Sequence, residues 1–375
     1  MLGEKCKHST FLYDLGVETF KERFPWFGGD LQTLRDTFRR DTFFLETKTE
    51  SIEIPVPKIP SGQFSKGSLL AFLDYPFPIK RFRGLVLLLH GLGGSSERNG
   101  LKRMGFSLQK EGFAVLRLNL RGAYPGRHLV GGTYAADCSS DLIPVIIRAR
   151  ELCKNLKDKL DKDNDKEDLP VLGVGISLGG TILLNACLKE SCDKTIALNG
   201  FLLDGLICTS SPLDLRVCSK SIERFRNCFY QNWLLRRLVI QTISDPFGVL
   251  EEEQKLLRGK NNNIIMINSI KEFDSIITAP RWGYSDVNDY YLRASPIKKI
   301  LSNHDMLPPT LLVQSLDDPW VPSKPAEELE SFFSLLNKKE LKVLLTSKGG
   351  HNGFHSDEGC WGDKVVLKWF EYLGF

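Results

Sequence analysis

From Arg83 onward the chain alternates short, fully apolar runs with longer amphipathic ones. The apolar runs are "GLVLLLHG" (84–91), "FAVLRLNLRG" (113–122), "PVLGVGIS" (170–177), "DGLICTSS" (204–211), "PTLLVQSLDDP" (309–319) and "LKVLLTSKGGH" (341–351). Helical spacing fills the stretches after the first three of these, over 98–112, 133–156 (with one interior proline) and 178–190. A strand that is apolar at every position, not every second one, has both faces covered. The alternation therefore predicts parallel strands layered between helices, the doubly wound α/β class. In that class reactive groups gather where strands end at their carboxyl edge.

Three segments depart from the alternation. Residues 1–80 hold extended and amphipathic pieces, such as "DTFFLETKTESIEIPV" and "GSLLAFLDYP", which predict an N-terminal arm and antiparallel edge strands. Residues 214–300 are mainly helical in pattern and predict an insertion capping the active edge of a core made of 81–213 and 301–375. Residues 155–168 are a charge run, in which Asp161, Asp163 and Asp165 stand at the first three ligand spacings of a calcium loop. Lys166 occupies the sixth position, where a sharp-turn glycine is needed, and Leu172 the twelfth, where a bidentate glutamate is needed. The run reads as a solvated loop, and no metal is expected.

Composition narrows the function classes. With 375 residues, 42% of them hydrophobic, the chain has ample material for a substantial core. A net charge of +4 is too mild to argue for a nucleic-acid partner. Nine cysteines occur without a CxxC pair, the start "MLGEKCKHST" lacks a long apolar leader, and no run reaches eighteen apolar residues. These features favour a reduced, cytoplasmic setting without a membrane span.

The candidate chemistry begins at Gly175-Ile176-Ser177-Leu178-Gly179, a G-x-S-x-G sequence between an apolar strand and a helix. A dinucleotide fingerprint is excluded, since Leu178 stands where its third glycine would be. A serine on so sharp a turn exposes its hydroxyl above a helix N-terminus, but the hydroxyl needs a base and a group to orient that base. His351 follows the last apolar run in "SKGGHNGF" and is the candidate base, with His355 as its rival. Asp318 ends the preceding run and is the candidate acid. Its neighbour Asp317 would face the other way, because successive strand residues alternate. The chain order Ser177, Asp318, His351 is that of α/β-hydrolases and not of chymotrypsin-type or subtilisin-type proteases. The backbone amides of Leu178 and Leu92 are the expected oxyanion donors, and His90 in "HGLGGS" is expected to hold its turn.

With these residues placed, the sequence resembles the YheT-like branch of the α/β-hydrolase superfamily over residues 50–372. The resemblance is carried by "LLLHGLGGSS", "LNLRGAYPG", "GISLGG", "IKEFDSIITAPRWGYSDVNDYYLRAS", "DDPWVP" and "GGHNGF" in that order. The fourth motif, Ile270–Ser295, is the most specific. Asn352 departs from the family's usual apolar residue. The resemblance implies a Ser177–Asp318–His351 triad and an esterase or lipase acting on short- to medium-chain esters or monoacylglycerol-like lipids, without a cofactor.

In the insertion, Ile222, Phe225, Phe229 and Trp233 recur every three to four residues. This stripe either packs onto the sheet or lines an acyl groove, with Lys220, Arg224, Arg226, Arg236 and Arg237 as a basic rim for lipid head groups. Tyr284, Tyr290 and Tyr291 are candidates for the same entrance, while Asp274 and Asp286 are candidates for helix caps or arginine partners. The expected activity is serine-dependent ester hydrolysis, slowing at acid pH as the base protonates. The alternatives are acyl transfer by the same triad, or a binding protein on a hydrolase scaffold. Peripheral membrane contact and oligomeric state stay open.

Overall fold

The computed structural model of the chain describes residues 11–39, 48–77, 81–160, 168–189, 200–258, 267–336, 338 and 340–375. The acidic positions 161, 163 and 165 considered above lie outside the described residues. Helix α1 (Gly28–Phe38) precedes strands β1 (Thr49–Val56) and β2 (Gly67–Asp74). Then follow β3 (Gly84–Leu89), α2 (Asn99–Lys110), β4 (Phe113–Leu118), α3 (Ser139–Leu160), β5 (Val171–Ile176), α4 (Leu178–Cys187) and β6 (Gly205–Thr209). Helices α5 (Leu215–Ile222), α6 (Cys228–Ile243), α7 (Glu251–Arg258), α8 (Val287–Ala294) and α9 (Pro296–Asn303) separate β6 from β7 (Thr310–Ser315). Between α7 and α8 runs a short helix, Ile270–Phe273, that widens into a π-helical turn over Asp274–Thr278. Helix α10 (Lys324–Leu336), β8 (Leu341–Thr346) and α11 (Trp361–Tyr372) complete the main elements.

One eight-stranded sheet has the order β1-β2-β4-β3-β5-β6-β7-β8. β1 and β2 are antiparallel, β2 is antiparallel to β4, and every remaining pair is parallel. From β4 the chain crosses back past β3 to begin β5, so the winding reverses between β3 and β5. That reversal opens a crevice at the carboxyl ends of the two strands, where α/β sheets bind ligands. Leu89 at the end of β3 pairs with Gly175 near the end of β5, so the loops leaving these strands are neighbours.

The strand composition explains the layering. On β3, Leu85, Leu87 and Leu89 enter a core shared with Ile146 of α3 and Ile182 of α4. The alternate residues, Val86 and Leu88, enter a second core with Leu108 of α2 and Trp369 of α11. At roughly 1.5–3 kcal/mol for each fully buried aliphatic side chain, a register slip on β3 is prohibitive. A third, smaller core lies within the insertion and includes Leu234, Leu238, Phe273 and Ile277. Leu92 packs against both the first and the third core, joining the sheet to the insertion.

The stretch 219–238, read as one helical stripe, is two helices in the structure. α5 stops at Ile222, a 3-10 turn covers Phe225–Asn227, and α6 starts at Cys228. Buried Asn227 fixes the break: its side-chain amide donates to the carbonyls of Ser221 (2.9 Å) and Pro319 (2.7 Å).

Candidate active site

Ser177 ends β5 and is the N-cap residue of α4, with φ 55° and ψ −126°. Such backbone angles cost a non-glycine residue on the order of 1–3 kcal/mol and persist only where the surroundings impose them. Here the Ser177 amide donates to Thr209 O at 2.8 Å, and its carbonyl accepts the Gly180 amide at 2.9 Å. The flanking glycines follow from close backbone approach. A Cβ on Gly175 would lie 2.3 Å from Gly180 Cα, and one on Gly179 would lie 2.7 Å from the carbonyl oxygens of Leu89 and His90. The sequence therefore folds into a strand–turn–helix that has no room for a side chain two residues to either side of the serine.

The loop after β8 brings His351 to this turn. Its Nε2 lies 2.9 Å from Ser177 Oγ, and its Nδ1 lies 2.9 Å from Asp318 Oδ2. The Asp318 carboxylate is completely buried, and its Oδ1 accepts the amides of Trp320 (2.8 Å) and Val321 (2.9 Å). A carboxylate at Nδ1 fixes the tautomer with the proton there, which leaves the Nε2 lone pair for the serine hydroxyl. Asp317 faces elsewhere, accepting the Gly350 amide at 2.9 Å. His355 lies apart from the serine, with Nε2 3.0 Å from Asp36 Oδ1. Burial works against the Asp36 carboxylate, but His355 and Arg103 hold its pKa well below the usual carboxylate range.

Several residues of this site carried no chemistry in the sequence reading. The indole of Trp320 stacks on the His351 ring at a centroid distance of 4.4 Å. From the arm, Thr33 of α1 accepts the His351 amide at 2.8 Å, and Gln32 accepts the His355 amide at 2.8 Å. Asn352 has φ 57°, a region asparagine tolerates better than an apolar residue does. Its Oδ1 accepts Thr209 Oγ1 at 2.6 Å, which ties the histidine loop to the end of β6. The only available signal was position: Trp320 sits two residues after Asp318, and Asn352 directly follows His351.

Leu178 is the first residue of α4, so the helix leaves its amide without an acceptor four residues back. Leu92 lies across the crevice in a loop pinned on both sides. Gly93 N donates to Tyr134 Oη at 2.7 Å, and Gly94 N donates to Gly91 O at 3.0 Å. His90 Nε2 accepts the Leu120 amide at 3.2 Å while Nδ1 donates to Gly91 O at 2.8 Å. Burial lowers the His90 pKa to about 4, so the ring is neutral and serves to hold the loop.

A cavity of about 700 Å³ opens above the serine, and Leu92, Ser177, Leu178, Trp233 and His351 all line it. Phe225, Phe229 and Tyr284 do not. Phe225, in the 3-10 turn, and Phe229, in the first turn of α6, are 92% and 84% exposed. Tyr284 packs instead on Tyr290 (ring centroids 5.0 Å apart) and under Arg293, while Tyr290 and Tyr291 reach the cavity. Asp286 caps α8 through the Asn288 and Asp289 amides. Asp274 lines the cavity and accepts Tyr291 Oη at 2.9 Å, and burial raises its pKa to about 6. Among the described residues, no three His, Cys, Asp or Glu side chains converge to hold a metal ion. Nor is any described helix long and apolar enough to cross a membrane.

Known proteins resemble the chain in sequence and in fold. The alpha/beta hydrolase family matches residues 86–359. Phospholipase ABHD3 of Bos taurus is 27% identical over 289 residues, covering 74% of this chain and 60% of that protein. The chain thus spans about 60% of that relative's length. YheT of Escherichia coli (strain K12) is 29% identical over 300 residues, covering 79% of this chain and 77% of YheT. A soluble variant of monoglyceride lipase from Saccharomyces cerevisiae, solved with a substrate analogue, shares the fold. Its TM-score is 0.50 at 15% identity, covering 88% of this chain and 98% of that one.

Proposed function

The chain belongs to the alpha/beta hydrolase family, and from that premise we propose that it hydrolyses carboxylic esters through an acyl-enzyme on Ser177. Ser177 Oγ attacks the ester carbonyl as His351 Nε2 takes its proton. Asp318 holds Nδ1 and offsets the charge of the imidazolium. The Leu92 and Leu178 amides receive the oxyanion, a type of contact worth roughly 3–4 kcal/mol for each donor. The alcohol leaves with the proton from His351. Water, activated by the same ring, then releases the acid and restores the serine.

One observation carries this reading: an unbroken hydrogen-bonded path of two 2.9 Å steps from a buried carboxylate to a serine at positive φ. Residues 214–300 act as a cap in this reading, and Leu215, Ile222, Leu234 and Ile270 supply apolar cavity wall for an acyl chain. Short- to medium-chain acyl esters and monoacylglycerol-like lipids fit a cavity of this size. The relatives named as a phospholipase and a monoglyceride lipase support lipid esters as the substrate class.

The test is fluorophosphonate labelling of wild type, Ser177→Ala and His351→Ala, with turnover of p-nitrophenyl esters of increasing chain length. Labelling of Ser177, lost together with turnover in both variants, is the expected result. A folded wild type that neither labels nor cleaves any ester defeats the reading.

A further inference from the structure

We propose that Arg98 and Arg237 form an oxyanion-binding subsite at the cavity, selecting esters that carry a phosphate or carboxylate group besides the scissile ester. The proposal rests on the ester-hydrolase reading and deepens it by naming the substrate class.

The two arginines come from different elements, Arg98 from the N-cap of α2 and Arg237 from the middle of α6. They converge on a single carbonyl: Arg237 Nε donates to Gly93 O at 2.9 Å, and Arg98 Nη2 donates to the same oxygen at 3.3 Å. They also share one ring, since their guanidinium carbons lie 5.0 Å and 5.7 Å from the Trp233 centroid. Both side chains line the cavity that contains Ser177. Burial lowers the pKa of each, and the charge of Arg237 helps push Arg98 down to about 10. Two cations have been gathered where each makes the other less favourable.

The described residues do not supply their counter-charge. Among the described residues, neither arginine joins an ion pair, and the three carboxylates lining the cavity are committed elsewhere. Asp36 is held by Arg103 (2.8 Å) and His355. Glu97 pairs with Lys102 and, at 3.3 Å, with Arg117. Asp274 accepts the Tyr291 hydroxyl. The third arginine on the wall, Arg103, is itself neutralised by Asp363 and Asp36. Arg98 and Arg237 are thus the uncompensated pair.

A guanidinium has five N–H donors, and the shared carbonyl uses one from each. The remaining forks match the geometry of phosphate or carboxylate, which they bind in bidentate fashion. Gly93 directly follows Leu92, the proposed oxyanion donor, so an anion held here sits only a few atoms from the ester carbonyl. The preferred substrate therefore carries its anion close to the scissile bond. A long neutral ester fills the apolar wall and leaves the pair unsatisfied.

The test uses the full chain and matched esters. One pair is 1-butanoylglycerol and 1-butanoylglycerol 3-phosphate; the other is 4-nitrophenyl butanoate and mono-4-nitrophenyl glutarate. The first pair reports phosphate and the second carboxylate. The expected result is a higher kcat/KM for the anionic member of at least one pair. Arg98→Gln and Arg237→Gln should each lower that anionic-to-neutral ratio about tenfold to a hundredfold, the range for a lost hydrogen bond to a charged group. A wild-type ratio at or below one in both pairs, or a ratio unmoved in both variants, overturns the proposal. Binding is read separately in Ser177→Ala protein by titrating glycerol 3-phosphate and glutarate against tryptophan fluorescence, since Trp233 lies under the pair. Saturable binding that either arginine variant abolishes, alongside a wild type that cleaves no ester, supports the subsite and defeats only the ester reading. Ester turnover with no anion preference and no such binding defeats only the subsite.

Discussion

On the cavity wall built from the sheet edge, His351 lies between Asp318 and Ser177. On the wall formed by the start of α2 and the insertion, Arg98 and Arg237 crowd one carbonyl, and buried Asp274 accepts the Tyr291 hydroxyl. The first holds its histidine between fixed partners, whereas Arg98, Arg237 and Asp274 on the second join no ion pair among the described residues. A paired charge is oriented before substrate arrives, which suits a reaction sensitive to small misplacements. An unpaired charge takes its partner from whatever binds, which suits recognition. Under the proposed function and subsite, the first wall serves geometry and the second selection.

The largest expected effect lies on the paired wall. Asp318→Asn preserves the shape but presents an amide to Nδ1, favouring the wrong tautomer, so kcat should fall on the order of 10⁴-fold. Turnover measured per folded molecule checks this, and a loss below tenfold removes the case that pairing on this wall serves catalysis.

On the other wall, Asp274 predicts a stability effect with a definite sign. Its folded-state pKa is raised from 3.8 to about 6, chiefly by burial. Between those values the folded chain holds the proton that the unfolded chain releases. Stability is therefore highest below the unfolded value, falls as pH rises through this window, and levels off above it. Asp274→Asn stays neutral and still accepts from Tyr291. It should flatten that slope and exceed wild-type stability at pH 8 by up to about 3 kcal/mol. Urea unfolding at pH 4 and pH 8 measures it, and a variant less stable than wild type at pH 8 would mean Asp274 has a counter-charge after all.

The smallest effect separates the inside of the insertion from its outside. Phe229→Ala removes a large ring that is 84% exposed and absent from the cavity wall, so the urea midpoint should move by no more than about 0.5 kcal/mol equivalent. A loss above 1 kcal/mol would place that ring in a contact the structure lacks.

What could be read in the sequence followed locality. The turn at Ser177 was legible because its demands are met within six residues: an apolar strand, two glycines where backbones nearly touch, and a helix start. Asp317 and Asp318 do meet different partners, Gly350 N and His351 Nδ1, but they lie on the turn after β7, which ends at Ser315, so the turn and not strand alternation separates them. The sheet's centre was equally plain, since β3 and β4 are apolar at nearly every position. The insertion was not. Its aromatic spacing assumes a helix that Asn227 interrupts by bonding across to Pro319, ninety-two residues away. Neither proline nor glycine marks that break. The arginine pair was also invisible, because Arg98 and Arg237 become neighbours only when α6 docks on the loop after β3. Trp320 was quoted within a motif, but its stacking on His351 depends on how two loops fold over each other.

The hold of α1 on the histidine loop has a practical corollary. Trimming the front of a chain is ordinarily the mildest of engineering operations, and here the first eighty residues looked like an appendage. Yet a deletion through Phe38 removes the hydroxyl that accepts the His351 amide and the side chain that accepts the His355 amide. Two backbone donors would then lose their acceptors, one of them on His351 beside Ser177. In this molecule the opening helix is joinery for the closing loop, and a shortened version has to be judged by its chemistry as well as its yield.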